Sequence, residues 1–281
     1  MKIINKLDLT EYNSYRVHSV AETAFFPETI DDVVDIFGKE KPIVIGGGCN
    51  VIFSKEYYKQ PIMFIRDNYT GIKKEGERLI AKAGTDLKVL SEYALDHSLT
   101  GLEYYYDIPG CVGGATIMNA GCQGVSFSDL LEKVTFYDVN EDSISSLSKD
   151  ELKFEYRGNV LRSMNVVVIE TQLLLHEGEK NAIRILMENT KKSRWVKQPR
   201  NYPSAGSVFK RPIGHYVGPM ITEVGLKGMR RGGAMFSDKH AGFIVNTGNA
   251  TANDILYLIQ IAQNRVLEKY GVELELEQQI V

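Results

Sequence analysis

The stretch from Pro109 to Gly124 constrains this chain more than any other. Five glycines, at 110, 113, 114, 121 and 124, surround a short apolar run, and Asn119 places an amide side chain among them. Backbone this rich in glycine turns tightly and exposes its amides, because no Cβ stands in the way. It reads either as a wall for a flat or phosphorylated ligand or as a pair of tight loops in an ordinary core. Glycine turns recur at Gly46 to Asn50 and at Ser204 to Ser207. Three such turns in one chain favour the ligand wall.

The second of these turns sits between strands. Pro42 to Ile45 predicts a short buried strand running directly into Gly46, Gly47, Gly48, Cys49 and Asn50, and Val51 to Phe53 predicts another. Amides exposed at a strand end are where anions are often held. The spacing is not the dinucleotide fingerprint, which needs three spaced glycines between a strand and a helix. It is not a Walker A loop either, since no lysine and hydroxyl residue follow. Both facts argue against a conventional doubly wound nucleotide domain.

The rest of the chain mixes periods. Thr29 caps a predicted helix whose face is Ile30, Val33, Val34 and Phe37, and Gly38 ends it. Arg78 to Ala83 predicts a strand and Leu87 to His97 a helix, with His97 a capping or packing residue. Tyr104, Tyr105 and Tyr106 would alternate faces if extended. Leu130 to Val139 and Val166 to Leu175 predict strands, joined through an acidic, serine-rich turn at Asn140 to Ser148. Helical spacing from Asn181 to Lys192 leads into the cations Arg194, Lys197 and Arg200, just before Pro203 to Pro212. Such a run is usually a solvated face, but its place beside a glycine turn also suits a phosphate. A short helix at Ile221 to Gly225 and a strand at Gly242 to Asn246 follow. Thr251 to Tyr270 predicts a long amphipathic helix with Ile255, Leu258, Ile259, Ala262, Val266 and Leu267 on one face, closed by Gly271. The tail, Val272 to Glu277, alternates as a strand with Glu273, Glu275 and Glu277 on one side. The fold class is α+β in two or three lobes.

Composition removes several functions. Thirty-three Lys and Arg against 36 Asp and Glu leave a formal charge of −3, so no dominant nucleic-acid surface is expected. Cys49, Cys111 and Cys122 are too few for a disulfide framework or zinc knuckle, and no metal site is expected. No stretch approaches a membrane span. A soluble cytoplasmic protein without an obligate protein partner is the expectation.

Taken together, the blocks resemble the UDP-N-acetylenolpyruvoylglucosamine reductases of bacterial cell-wall synthesis, the MurB family. The likeness is carried by Val44 to Asn50, Gly101 to Glu103, Ile108 to Ala115, Met118 to Gly121, Phe154 to Arg157 and Tyr202 to Pro212. It continues through Gly225 to Gly228, Gly232 to Ala234, Ser237 to Asn246 and the Leu274 to Glu277 tail, in family order over nearly the whole chain. The short interval between Arg157 and Ser207 resembles the family's type without an extra substrate-covering insertion.

The resemblance implies an FAD-binding fold of the vanillyl-alcohol oxidase type in two subdomains, 1–67 and 68–178, and a separate α+β substrate domain over 179–281. FAD would be the cofactor, NADPH the reductant and UDP-N-acetylglucosamine enolpyruvate the substrate. By the same likeness Gly46, Gly47, Gly48, Cys49 and Asn50 hold the FAD pyrophosphate. Pro109, Gly110, Gly113, Gly114, Asn119, Ala120 and Gly121 line the flavin or its ribityl and phosphate portion. Ser207 matches the proton-donating serine, Arg157 the active-site arginine and Glu277 the catalytic glutamate, with Lys197 and Arg211 as substrate-binding cations. The chain departs from the family pattern at His18 and Ser19, at Cys49, at Gly158 and Asn159, and at Gln278 and Gln279. Two other readings therefore stay open: a flavoenzyme for another acceptor, and a non-catalytic UDP-sugar-binding regulatory flavoprotein.

Overall fold

Residues 1–281 are described by the computed structural model. They pack as two units, each assembled from separated stretches of chain. The first comprises Met1–Asn5, Thr23–Gly47 and Gln60–Arg194, and the second Lys6–Glu22, Gly48–Lys59 and Trp195–Val281.

In the first unit the strand Ile62–Phe64 pairs in parallel with two neighbours. Ala24 and Phe25 lie on one side of it and Ile43–Ile45 on the other. Ile62, Met63 and Phe64 are all at most 1% exposed, as expected of a parallel strand covered on both faces. The helix Ile30–Phe37 starts at a reciprocal cap between Thr29 and Asp32, and it buries Val33 and Ile36.

A five-stranded antiparallel sheet forms the rest of this unit, in the order Ser143–Ser148, Leu131–Asp138, Val166–Leu174, Arg78–Lys82, Ile72–Glu75. Ser143–Ser148 corrects the sequence reading, which took this serine-rich segment for part of a turn. It is an edge strand, paired from Lys133 opposite Ser148 to Asp138 opposite Ser143. An edge strand facing water needs few apolar residues, so composition hid it. The real turn is shorter, and the Asp138 carboxylate accepts the amides of Asn140 and Glu141 to form it.

The glycine-rich stretch holds a second correction, because Val112–Met118 is a helix. It packs on the strand Val166–Leu174, where the buried hydroxyls of Thr116 and Thr171 share a 2.8 Å hydrogen bond. Gly113 makes this approach possible, since a Cβ there would stand 2.9 Å from that of Ala83. The lost helix propensity of about 1 kcal/mol is exchanged for contact with the sheet. Glu103–Tyr105 forms a tight 3₁₀ turn rather than an extended run, burying Tyr105. The helix Lys180–Lys197 is longer than its expected span and buries Ile183, Met187 and Thr190.

The second unit is built around the helix Ala252–Tyr270. Thr251 and Asp254 cap it reciprocally, and Gly271, at φ +66°, closes it in left-handed backbone. Ile255, Leu258, Ile259, Ala262 and Val266 are buried as expected, but Leu267 is 46% exposed and lies off that face. A small antiparallel sheet of Arg230–Arg231, Ala234–Phe236 and Ile244–Asn246 supplies further core. The tail from Val272 to Glu277 alternates, with Leu274 buried and Glu273 and Glu275 exposed, but forms no continuous strand of its own. The regular strand comes later, at Gln279–Ile280, in parallel with Val51–Ile52. No helix is long and apolar enough to cross a membrane.

Candidate active site

The expected site residues fall in both units. Gly46, Gly47, Pro109, Gly110, Gly113, Gly114, Asn119, Ala120, Gly121 and Arg157 belong to the first. Gly48, Cys49, Asn50, Lys197, Ser207, Arg211 and Glu277 belong to the second.

In the first unit the strand Ile43–Ile45 delivers Gly46 against the start of the helix Val112–Met118. A Cβ on Gly46 would lie 2.7 Å from Cys111 Sγ, so only glycine permits this approach. Cys111 is buried, and burial pushes its thiol pKa up. The amides of Gly114 and Gly47 direct their hydrogens toward the sulfur and work against that shift. Two glycine amides, one from each turn, therefore converge on one point. That point is the buried Cys111 sulfur, so the two amides tie the Gly46 turn to the start of the helix. Gly110, at φ +132°, accepts the Leu87 amide through its carbonyl at 3.0 Å, which fixes the entry to the helix.

Asn119 ends that helix in left-handed backbone at φ +41°. Its side chain is committed to protein, donating to the Glu155 carbonyl at 3.0 Å and accepting the Ser128 amide at 3.0 Å. Its main-chain amide is also taken, by the carbonyls of Ala115 and Thr116 at the helix end. The Ala120 carbonyl accepts the Phe127 amide at 2.8 Å and the Tyr105 hydroxyl at 3.3 Å.

Arg157 stands at the apex of a tight turn closed by reciprocal bonds between Glu155 and Gly158, at 3.0 and 3.3 Å. Its φ is +63°, a conformation that costs a non-glycine residue on the order of 1–2 kcal/mol. The guanidinium donates to the carbonyls of Asn119 at 3.5 Å and Gly121 at 3.4 Å, which brings it onto the glycine-rich stretch. Gly121 leaves room for it, as a Cβ there would lie 3.1 Å from Nη1. The altered sequence after Arg157 is also accounted for. Asn159 is buried, donates to the Thr116 carbonyl at 2.7 Å and accepts the Leu161 amide, so it ties this turn to the same helix. The basic run contributes Arg194, which pairs with Asp107 at 3.5 Å with both side chains about nine-tenths covered.

In the second unit the segment 207–210 runs between two others. Ser207 lies opposite Phe243 and Phe209 opposite Leu276. The Val208 amide donates to the Gly242 carbonyl at 3.0 Å, and its carbonyl accepts the Glu277 amide at 3.0 Å. Lys210 extends the pairing, its amide donating to the Glu275 carbonyl at 2.8 Å and its ammonium pairing with the Glu275 carboxylate. Ser207 and Glu277, both half-buried, are thus on neighbouring extended segments.

Asn50 also serves this unit. Its side chain donates to the Glu277 carbonyl at 2.9 Å and its own carbonyl accepts the Gln279 amide at 2.9 Å. Gly48, at φ +68°, presses against Tyr12, whose carbonyl oxygen would be 2.0 Å from any Cβ. Lys197 is exposed, and Arg211 stacks its guanidinium 3.8 Å from the centre of the Tyr216 ring. Ser19 is fully buried, and its hydroxyl donates to the Lys55 carbonyl at 2.7 Å, while His18 is solvent-facing.

Two residues that sequence reasoning did not place in the site are Tyr15 and Gln278. Both are at most 2% exposed, and the Tyr15 hydroxyl donates to Gln278 Oε1 at 3.0 Å. Gln278 drew notice only as a departure from the family pattern, and nothing in the sequence connected it with Tyr15.

A family model described as UDP-N-acetylenolpyruvoylglucosamine reductase, C-terminal domain, matches residues 198–281, and an FAD binding domain model matches residues 21–145. The UDP-N-acetylenolpyruvoylglucosamine reductase of Syntrophomonas wolfei is 39% identical over 97% of this chain and 93% of its own length. That of Caldanaerobacter subterraneus is 38% identical over 97% of this chain and 91% of its own. Among solved structures, the reductase of Thermus caldophilus superposes with a TM-score of 0.84 at 31% identity, covering 99% of this chain and 98% of that one.

Proposed function

The chain belongs to the UDP-N-acetylenolpyruvoylglucosamine reductase family, and on that premise we propose that it reduces UDP-N-acetylglucosamine enolpyruvate to UDP-N-acetylmuramate with NADPH, through FAD. The proposal places it in the cytoplasm, in peptidoglycan precursor synthesis. It assigns 1–67 and 68–178 to two FAD-binding subdomains of the vanillyl-alcohol oxidase type and 179–281 to substrate binding. The residues present fit the cofactor, because the glycine turns carry no side chains to obstruct an anion, and outside its own helix the nearest heavy atom to where a Cβ on Gly114 would stand is Cys111 Sγ, at 3.8 Å. When bound, FAD supplies the hydride that NADPH provides and the enolpyruvyl carbon receives.

The chain's own residues handle the charge and the proton. Arg157 stabilises the negative charge that develops on the substrate carboxylate as the double bond is reduced, with Glu277 assisting by a hydrogen bond. Ser207 gives its hydroxyl proton to C2. A serine hydroxyl is a weak acid in water and donates only to a strongly basic carbon. Holding it against that carbon is therefore most of its advantage. Lys197 and Arg211 supply cations for the diphosphate.

The observation that carries this reading is the pairing of Val208 with Glu277, which sets Ser207 and Glu277 on adjoining segments of one unit. The test is anaerobic stopped-flow absorbance of the FAD-loaded protein, reduced with NADPH and then mixed with the enolpyruvyl substrate. Rapid return of the oxidised flavin spectrum is expected. A flavin that bleaches with NADPH but is not restored by this substrate would overturn the acceptor assignment.

A further inference from the structure

We propose that Tyr15 and Gln278 are positioning residues that hold Ser207 in register for proton transfer. The inference rests on the role of Ser207 given above and adds how that role is maintained.

The Gln278 side chain spans three groups. Its Nε2 donates to the carbonyls of Ala205 at 3.0 Å and Gly206 at 3.3 Å, and its Oε1 accepts the Tyr15 hydroxyl at 3.0 Å. Both residues are buried, Tyr15 at 1% and Gln278 at 2% exposure, so the bonds to Tyr15 and Ala205 are shielded from water, and the one to Gly206 is partly so. Burial also pushes the Tyr15 pKa up, keeping its hydroxyl protonated as a donor. The Tyr15 main chain is tied down in turn. Its carbonyl accepts Asn246 Nδ2 at 2.8 Å, and the Asn246 amide donates to the Pro203 carbonyl at 2.9 Å.

This clamp acts where the chain would otherwise pivot. Gly206 has φ +79° and nothing within 4 Å of where a Cβ would be, so it has no side chain and nothing packed on that face to restrain its rotation. The peptide plane joining Gly206 to Ser207 carries the Gly206 carbonyl. Fixing that oxygen fixes the plane and hence the direction from which the Ser207 side chain leaves the backbone. Gln278 also follows Glu277 directly in sequence. One amide group thus sets the turn before the proton donor and the chain just after its carboxylate partner.

The experiment compares Gln278→Met, close in size but without donors, and Tyr15→Phe with the parent, each loaded with FAD. The expected result is reduction by NADPH and affinity for the enolpyruvyl substrate within about twofold of the parent. Substrate-driven reoxidation should slow on the order of 10- to 100-fold, as displacement of a reacting group does. The solvent deuterium isotope effect on that phase should rise as proton delivery becomes limiting. Combined with Ser207→Ala, Gln278→Met should slow reoxidation no further, because a residue acting through Ser207 has nothing left to position.

Parent-like reoxidation in either folded variant would overturn the inference, and so would an undiminished effect of Gln278→Met in the Ser207→Ala background. Ser207→Ala alone separates the two levels: if it reoxidises at the parent rate, the serine role itself fails. If Gln278→Met does not fold, Tyr15→Phe decides, since it removes one oxygen and leaves the ring in its core.

Discussion

Arg157 sits at the apex of a turn in left-handed backbone, its guanidinium reaching two carbonyls at 3.5 and 3.4 Å, whereas Ser207 opens a segment that pairs with Phe243 on one side and, through Val208 and Phe209, with Leu276 and Glu277 on the other. The first arrangement is local and strained, and it depends on the size of Gly121. The second is a ladder of main-chain bonds near 3.0 Å, reinforced by the buried Gln278 amide. The difference matches the work proposed for each residue. A guanidinium acts through charge over several ångströms and tolerates long contacts, whereas a hydroxyl transferring a proton works only within hydrogen-bond reach.

Ser207→Ala tests the ladder most directly and carries the largest expected effect. The bonds that hold the segment are main chain, so thermal stability should stay close to that of the parent. Substrate-driven reoxidation should fall by about 10²–10⁴-fold, with reduction by NADPH retained. Circular-dichroism melting and the two stopped-flow half-reactions read these independently. A large loss of stability would show that the hydroxyl, not the ladder, holds the segment.

Arg157→Lys comes next. Lysine keeps the charge but loses the planar fork that reaches the Asn119 and Gly121 carbonyls together. Reoxidation should slow by about 10²-fold, the scale of losing one oriented donor to a developing anion. Parent-like kinetics would mean that charge alone suffices and that the strained turn serves no positioning purpose. Gly121→Ala should act in the same direction and more weakly, roughly tenfold, since a methyl 3.0 Å from the Val125 carbonyl and 3.1 Å from Nη1 displaces the guanidinium without removing it.

The contrast also marks what the sequence made legible. The helix caps at Thr29 and Thr251 and the principal strands are local signals, and all of them are present. Ser143–Ser148 was read as turn because an edge strand facing solvent loses the apolar alternation by which strands are recognised. Val112–Met118 reads as a ligand wall or tight loops because Gly113 serves close packing against Ala83, a long-range cause that overrides local propensity. Arg157, Ser207 and Glu277 were named through family likeness, since an arginine before glycine or a serine after glycine specifies no chemistry alone. The clamp between Tyr15 and Gln278 joins residues 263 positions apart, and neither has a neighbour that signals the other.

The smallest expected effect also distinguishes the two regions, because a titratable group supports the Ser207 ladder. His240 Nδ1 accepts the Gly242 amide at 3.2 Å, and the Gly242 carbonyl in turn accepts the Val208 amide. The imidazole packs edge-on against Phe243, 4.8 Å between ring centres, and burial holds its pKa below the ordinary 6.5. Between that folded value and 6.5 the unfolded chain binds a proton that the folded chain does not. The stability contributed by neutral His240 is therefore complete above pH 6.5 and declines as the pH falls from there toward the folded pKa. Protonation also converts Nδ1 from acceptor to donor, which breaks its bond from Gly242 beside the strand that carries Ser207. His240→Asn places an acceptor oxygen near the same point without titrating. It should flatten the fall in melting temperature below pH 6.5 and leave the half-reaction from NADPH unchanged. An acid slope as steep in His240→Asn as in the parent would move the titration elsewhere and leave the Ser207 ladder, like the Arg157 turn, without a pH-sensitive support.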